Sequence, residues 1–499
     1  MTATAGQRLR GSAAQAVGDE RPELGEAFPL VRGPRERAGD SYAVRSPYDR
    51  RTVAAVHRAT ADQVEAAITG AAESFATTRR LASHERAAVL ERISGALVQR
   101  RDELARTIVL EAGKPLKTAR VEVDRAAFTF RIAAEEAKRI YGEIVPLDWL
   151  PGAEGRVAHV RRVPLGPIAG ITPFNFPLNL VAHKVAPALA AGNPIVVRPA
   201  SQTPLSALKL GEIVIAAGWP EAAVAVVPST TDVAAPLVED DRIKLLTFTG
   251  SPAVGWALKA RAGAKRVTLE LGGNAPVIIH RDADIEYAAE RVAWGGFVQS
   301  GQTCISVQRV YVDEAVSDRF ADELLRRVRE LVTGDPLDEA TDVGPLIDDA
   351  AAERVEAWVD EAVAAGAEVL AGGSRDGRMW QPTVLAGVPE ELRVSCQEVF
   401  APLVVLSRYG DPLDAIERAT TSRFGLQAGL FTHDLRLVEA AFERLETGGV
   451  MVNDVSTFRV DHMPYGGVKE SGTGREGLRY AIEEMTELKL LTFNRLGRL

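Results

Sequence analysis

Apolar positions recur at helical spacing through residues 61–106. Val64, Ala67, Ile68, Ala71 and Phe75 fall three and four apart, and a second run carries Val89, Leu90, Ile93, Leu97 and Leu104, with charges between. The stretch from Glu111 to Pro115 breaks this pattern, and a further helix is predicted over 118–139. Such one-sided, charged helices pack on something else and read as scaffold. Between 163 and 279 the texture becomes strand–helix alternation. Strands are predicted at 195–197, 224–227, 245–248 and 276–279, with helices at 204–217, 232–238 and 252–261. That order argues a parallel α/β sheet, the usual architecture around nucleotide cofactors. A second alternating stretch, 309–452, holds the apolar runs 310–312 and 403–406 and a helix over 318–331, and reads as a second α/β domain. In the tail 480–499, alternation over 487–493 predicts an edge strand able to pair with another subunit.

A chain of 499 residues exceeds one core, so two or three domains are expected. Its net charge of −9 gives no electrostatic footprint for nucleic acid or an anionic membrane. No window approaches ~20 apolar residues, which argues against a membrane span. The first 28 residues lack the apolar run of a signal peptide. They are expected to form a loose arm reaching residue 30, with a turn-rich stretch over 32–40. Two cysteines exclude a disulfide framework and any cysteine-built metal site, and suit a reducing cytoplasm.

Four segments carry candidate chemistry. Cys304, in Gln299-Ser300-Gly301-Gln302-Thr303-Cys304-Ile305-Ser306, follows a predicted helix over 285–298. Its small neighbours let a substrate and backbone N–H groups approach, so it reads either as buried filler or as a nucleophile. Cys396 has no glycine neighbours and reads as structural. Glu270, between Leu269, Leu271 and two glycines, has an apolar setting that raises a carboxyl pKa; it is either a general base or a strand-end carboxylate. Asn175, in Pro173-Phe174-Asn175-Phe176-Pro177, is held in a stiff turn and either donates to an oxyanion or packs a loop. The run Phe248-Thr249-Gly250-Ser251-Pro252-Ala253-Val254-Gly255 closes a strand and opens a helix, offering N–H groups to a phosphate without a G-x-G-x-x-G fingerprint.

Together with Glu398-Val399-Phe400-Ala401-Pro402 and Pro464-Tyr465-Gly466-Gly467-Val468-Lys469-Glu470-Ser471-Gly472, these segments resemble the aldehyde dehydrogenase superfamily in order and spacing over residues 40–495. The resemblance implies an α/β fold with three parts. These are a Rossmann-like NAD(P)-binding domain (31–141 and 165–272), a second α/β catalytic domain (273–471) and a small β oligomerisation arm (142–164 and 480–499). It implies that Cys304 attacks the aldehyde and that Asn175 and the cysteine N–H hold the thiohemiacetal oxyanion. Glu270 then activates the water that hydrolyses the thioester, and Lys184 and Glu476 are candidates for a proton path. A coenzyme-A-acylating enzyme, which typically lacks a base at Glu270, and a non-catalytic descendant of the fold, which should have lost the thiol, amide or base, are the competing readings.

Implied cofactor contacts come from Thr172, Pro173 and Phe174, from Phe248, Thr249, Gly250, Ser251 and Val254, and from Leu271 and Gly272. Glu398 matches the glutamate that holds the nicotinamide ribose, and Phe400 lies beside it. Arg198, followed by Pro199, Ala200 and Ser201, departs from the family's commoner Lys, and Ser201 from the Glu of strict NAD users; NADP is therefore expected beside NAD. Substrate positions offer Arg120, Arg125, Phe176, His183, Thr303, Ile305, Phe458, Arg459, His462 and Tyr465. Their charge suggests a small aldehyde with a polar or anionic tail, such as a semialdehyde, lactaldehyde, or a phosphonate- or sulfonate-bearing aldehyde. Thr303 stands where the phosphonoacetaldehyde and lactaldehyde branches often have Arg. A homodimer or homotetramer is expected, with no metal.

Overall fold

The computed structural model describes residues 22–33 and 39–494. The expected loose arm before residue 22, part of the 32–40 turn and the last five residues lie outside them. Residues 22–30 are packed rather than loose: Glu26–Ala27 pairs in parallel with Thr52–His57, and Leu30 exchanges backbone hydrogen bonds with Val226.

The helical pattern at 61–106 resolves into Ala61–Thr78, Ser83–Gln99 and Arg101–Ala112. Thr60 and Gln63 cap the first reciprocally, and Gly113, at φ 68°, ends the third in the left-handed region open to glycine. Leu116–Ala137 follows. The first large sheet runs in the order Val224–Val226, Ile195–Arg198, Ile168–Ile171, Leu245–Thr249 and Arg266–Glu270, all parallel, with Gly472–Thr473 antiparallel at its edge. The apolar runs Ile-Val-Val and Leu-Leu-Thr-Phe lie inside both faces, as a parallel sheet covered by helices requires. From Ile168–Ile171 the chain winds outward one way, through Ile195–Arg198 and Val224–Val226, then returns to its other side with Leu245–Thr249. The carboxyl ends of those two central strands flank a topological switch point, where such sheets open a crevice.

The second sheet has seven strands, in the order Glu368–Ala371, Thr383–Ala386, Leu403–Tyr409, Val307–Asp313, Ala275–Ile279, Gln427–Phe431 and Gly449–Val452. All are parallel except the first. A third, antiparallel sheet joins Glu143–Pro146, Arg156–Pro164 and the edge strand Thr486–Asn494. Leu488, Leu490, Leu491 and Phe493 of that edge strand are exposed, on both of its faces. The helix Asn179–Ala191, absent from the sequence reading, is buried at every position, so it shows no amphipathic period. No helix among the described residues is long and apolar enough to cross a membrane.

Candidate active site

Cys304 follows the helix Ile285–Phe297 through a strained turn. Gln299 and Ser300 take φ 55° and 56°, and Gly301 takes φ 66°. A Cβ on Gly301 would lie 2.0 Å from the Ala401 carbonyl oxygen, so the chain passes there only as glycine. The turn presents Cys304 to a cavity of about 540 Å³ that Asn175 and Glu270 also line. Asn175 Nδ2 donates to the Gln302 carbonyl at 3.0 Å, and the Gln299 side-chain amide donates to the Asn175 carbonyl. The Gln302 carbonyl thus holds the side-chain amide, and the Gln299 side chain holds the Asn175 backbone. Sequence reasoning assigned neither glutamine a role.

Glu270 ends the strand Arg266–Glu270, and both its carboxyl oxygens are buried without a hydrogen-bond partner. Burial, reinforced by the Glu476 charge, pushes its pKa well above the usual carboxylate range. Cys304 Sγ lies 2.9 Å from Tyr465 Oη, and burial pushes the thiol up to about 11 although that contact opposes the shift.

Behind these groups runs a buried ion cluster. Lys184 Nζ donates to Thr249 Oγ1 at 2.7 Å and to Thr247 Oγ1 at 3.1 Å, and stands 3.5 Å from the Glu476 carboxylate. Arg459 donates to Glu476 at 2.9 Å and stacks on the Tyr465 ring, 3.7 Å from its centroid. Asp461 takes a two-pronged bond from Arg125 and stands 2.8 Å from His183 Nε2. Desolvation raises the Asp461 pKa, but His183 and Arg125 outweigh it and hold the carboxylate well below its ordinary value. Glu476 is lowered in the same way, desolvation being outweighed by Lys184 and Arg459. Burial, then Arg459, lowers the His183 pKa, keeping that ring neutral. Three basic side chains, Lys184, Arg459 and Arg125, therefore face the carboxylates of Glu476 and Asp461, although burial lowers the Lys184 pKa.

The remainder of the cavity meets the demands of a dinucleotide. Pro173, Phe174, Thr249, Gly250, Ser251, Leu271 and Gly272 line it at the sheet's carboxyl end. A Cβ on Gly250 would meet the Phe248 ring at 2.6 Å, and one on Gly272 would meet the Glu398 carboxylate at 2.3 Å; both approaches need a bare backbone. Ser251 precedes the helix Pro252–Arg261, whose first N–H groups are open to a phosphate. Glu398 accepts from the Gly273 N–H at 3.0 Å, leaving acceptor capacity for a sugar hydroxyl, and burial raises it to about 7. Phe400, at φ 53°, meets Phe174 edge-on across the mouth. Arg198 donates to the Ser229 carbonyl, and Ser201 is exposed beyond it. Thr172, whose N–H bonds the Arg198 carbonyl, and Ala200 stand beside them, while Val254 is exposed outside the cavity. These residues fit NAD or NADP.

Among the substrate positions, Phe176, Thr303, Ile305, Arg459, Tyr465 and also Arg125 line the cavity. Arg120 does not. It faces away and is ion-paired to Asp102 and Glu339, because its place on the helix Leu116–Ala137 is more than a turn from the Arg125 face. His462 is exposed against Phe128, and His183 sits behind the cavity on Asp461. Several further lining residues, Glu122, Asn179, Trp294, Arg354 and Trp358 among them, and the buried Asp461 escaped the sequence reading. Only Asp461 carried a signal, an acid placed between Arg459 and His462. Among the described residues no group of three or more His, Cys, Asp and Glu side chains could hold a metal ion.

Comparison with known proteins agrees with this geometry. Residues 35–491 match the aldehyde dehydrogenase family. The chain is 45% identical to a 3-sulfolactaldehyde dehydrogenase of Priestia aryabhattai over 93% of its length and 97% of that protein's. The crystal structure of aldehyde dehydrogenase 21 from Physcomitrella patens in complex with the reaction product succinate superposes with a TM-score of 0.92 at 43% identity, covering 95% of this chain and 99% of that one. The glyceraldehyde-3-phosphate dehydrogenase of Methanocaldococcus jannaschii, complexed with NADP, gives a TM-score of 0.88 at 37% identity over 92% and 100%. The chain belongs to the aldehyde dehydrogenase family, as an NAD(P)-dependent enzyme that oxidises aldehydes.

Proposed function

We propose that the enzyme oxidises a small aldehyde bearing an anionic tail, carboxylate or sulfonate, to the free acid, with Cys304 as nucleophile. The observation that carries this reading is the pair of arginines bordering the cavity. Arg125 and Arg459 line it beside Cys304, and the buried Arg459 Nε has no hydrogen-bond partner. An anionic tail on the substrate offers that N–H an acceptor. Relatives named for 3-sulfolactaldehyde and a solved relative holding succinate are in keeping with such a tail.

In this mechanism the Cys304 thiolate adds to the aldehyde carbon, and the carbonyl π pair moves to oxygen. Asn175 Nδ2 leaves the Gln302 carbonyl to donate to that oxyanion together with the Cys304 N–H. NAD or NADP, which Glu398, Phe400 and the segment around Gly250 would hold, would supply the hydride acceptor. Glu270 takes a proton from the water that attacks the resulting thioester, and Cys304 departs as thiolate. Lys184 and Glu476 adjust the charge around Glu270. The presence of Glu270 favours hydrolysis over transfer to coenzyme A. The first large sheet with its covering helices forms the cofactor domain (31–141 and 165–272), with Glu398 and Phe400 holding the nicotinamide end from the catalytic domain (273–471). The apolar ribbon of the third sheet supports the reading of that sheet as the contact of a homodimer or homotetramer. The cysteine content supports a cytoplasmic location.

The test is an aldehyde panel followed at 340 nm, comparing succinic semialdehyde, 3-sulfolactaldehyde, lactaldehyde and propanal. Arg125→Ala is expected to raise KM for the anionic members about 10- to 100-fold, one charge-assisted hydrogen bond, and to leave propanal nearly unchanged. Arg120→Ala serves as the control. Equal losses on propanal refute the anion pocket.

A further inference from the structure

The Tyr465 hydroxyl is not needed to fill space. The ring is buried, with 3% of its surface exposed, and phenylalanine would fill the same volume. Its oxygen points at the one atom that must become an anion. Sγ and Oη lie 2.9 Å apart, and among the described residues Oη has no other hydrogen-bond partner. The Arg459 guanidinium covers the ring face and is itself anchored by Glu476. A cation over the π face withdraws electron density from the phenol and strengthens its O–H as a donor. Burial, and then the neighbouring Cys304, raises the phenol pKa well above its usual value, so the phenol stays protonated and is the donor once Cys304 ionises.

We propose that Tyr465 is a catalytic residue whose hydroxyl donates to the Cys304 sulfur as it ionises, easing formation of the thiolate, with Arg459 and Glu476 as positioning residues for that donor. Nothing in the family resemblance or in the relatives' names assigns this role; it rests on the reading of Cys304 as nucleophile. Ionisation of Cys304 sends its proton to solvent, and the negative charge stays on Sγ against the phenol O–H. When Sγ bonds the aldehyde carbon the charge passes to the carbonyl oxygen, and the neutral thioether sulfur is a poor acceptor. The bond to Tyr465 therefore weakens on addition and re-forms when hydrolysis expels the thiolate. The same hydroxyl serves the attacking sulfur and the leaving sulfur. The charged and titratable groups that bear on the pair are Arg459 from the loop after Val455, Glu270 from the first sheet, and Glu398 from the segment before Leu403. Lys184, Glu476 and Arg475 act on it through Glu270. Of these only Arg459 favours the anion directly, and its charge is largely offset by Glu476. That leaves a specific role for a neutral donor.

The experiment is the pH dependence of Cys304 alkylation by iodoacetamide in the full-length enzyme, with Cys304 modification scored by peptide mass spectrometry so that Cys396 does not count. Tyr465→Phe is expected to slow alkylation at pH 7.5 about tenfold, the worth of one hydrogen bond to an ionised group. The rise of the alkylation rate and the acid limb of kcat/KM should both move to higher pH by about one unit. Cofactor affinity, followed by quenching of tryptophan fluorescence, should stay put. A second arm uses enzyme containing 3-fluorotyrosine, a stronger donor with unchanged packing, which should move both profiles the other way. Alkylation profiles that coincide for parent, Tyr465→Phe and fluorotyrosine enzyme overturn the proposal, and so does a Phe variant with faster alkylation. Should the Phe variant fail to fold, the fluorotyrosine profile decides alone. If alkylation of Cys304 leaves aldehyde oxidation intact, it is the assignment of the nucleophile that fails, and the two failures are distinct.

Discussion

Replacing Glu270 with Gln separates the two halves of the proposed reaction. The amide keeps the shape of the side chain, and neither carboxyl oxygen has a protein partner, so no hydrogen bond is lost. What disappears is the proton acceptor. A positioned general base is worth roughly 10²–10⁴-fold, about 3–5 kcal/mol of barrier. Thioester formation needs no such base, so stopped-flow absorbance at 340 nm should show a burst of reduced cofactor stoichiometric with subunits. A steady state slower by that factor should follow. Stability moves the other way. Because burial raises the Glu270 pKa, the folded chain binds that proton more tightly than the unfolded chain. Stability therefore falls as pH rises from the unfolded carboxyl value toward the folded one, and E270Q removes the slope. The variant should melt no lower than the parent at neutral pH. A steady-state rate close to the parent's refutes the assignment of the base, and a lost burst would move Glu270 into the acylation half.

Two other outcomes follow from charges elsewhere in the fold. Arg198→Ala should lower kcat/KM for NADP about 10- to 100-fold while NAD loses little, since only the former offers a phosphate to pair with a guanidinium now held by the Ser229 carbonyl; a uniform loss would remove Arg198 from the 2′-phosphate. Glu111, which caps the helix Leu205–Ala216 by accepting from the Leu205 and Ser206 N–H groups, is raised by burial to about 7. Its folded pKa exceeds the unfolded one, so stability should fall by about 3 kcal/mol between the unfolded carboxyl value and neutrality, and Glu111→Gln should flatten that part of the profile in urea denaturation at pH 5 and pH 8. Parallel profiles for parent and variant would show that Glu111 does not titrate there.

What the sequence revealed depended on whether the determinant was local. Six strands of the two large sheets were legible because a buried parallel strand is a continuous apolar run, and Ile195–Arg198 and Leu245–Thr249 fall within a residue of their expected ends; Ile168–Ile171, Arg266–Glu270 and Gln427–Phe431, broken by glycine or polar residues, were not. Asn179–Ala191 was not, since a helix buried all round leaves no polar face to give a period. In the cavity, Cys304, Asn175 and Glu270 were legible through segments of small, rigid or glycine-rich residues. Arg120 and Arg125 were indistinguishable by composition. Five residues on a helix is about 500° of rotation, and that angle alone sends one to Asp102 and Glu339 and the other to Asp461 and the cavity. The pairing of Arg459 with Glu476 and Tyr465 is likewise a property of two loops meeting, and no spacing rule anticipates it.

The electrostatics of the cavity impose an order on the proposed reaction. Burial disfavours the charged form of both Cys304 and Glu270, and each anion would further disfavour the other. The Arg459 guanidinium favours either anion, but it is itself paired with Glu476 and offsets neither in full. Thiolate and carboxylate are therefore not needed, and not favoured, together. While the thiolate attacks, a protonated Glu270 adds no repulsion. Once the sulfur is a neutral thioester, Glu270 can ionise without an anionic neighbour and take the proton of water. The Tyr465 hydroxyl completes the scheme because, as a neutral donor, it stabilises the thiolate without adding a charge that would then hold Glu270 ionised too early.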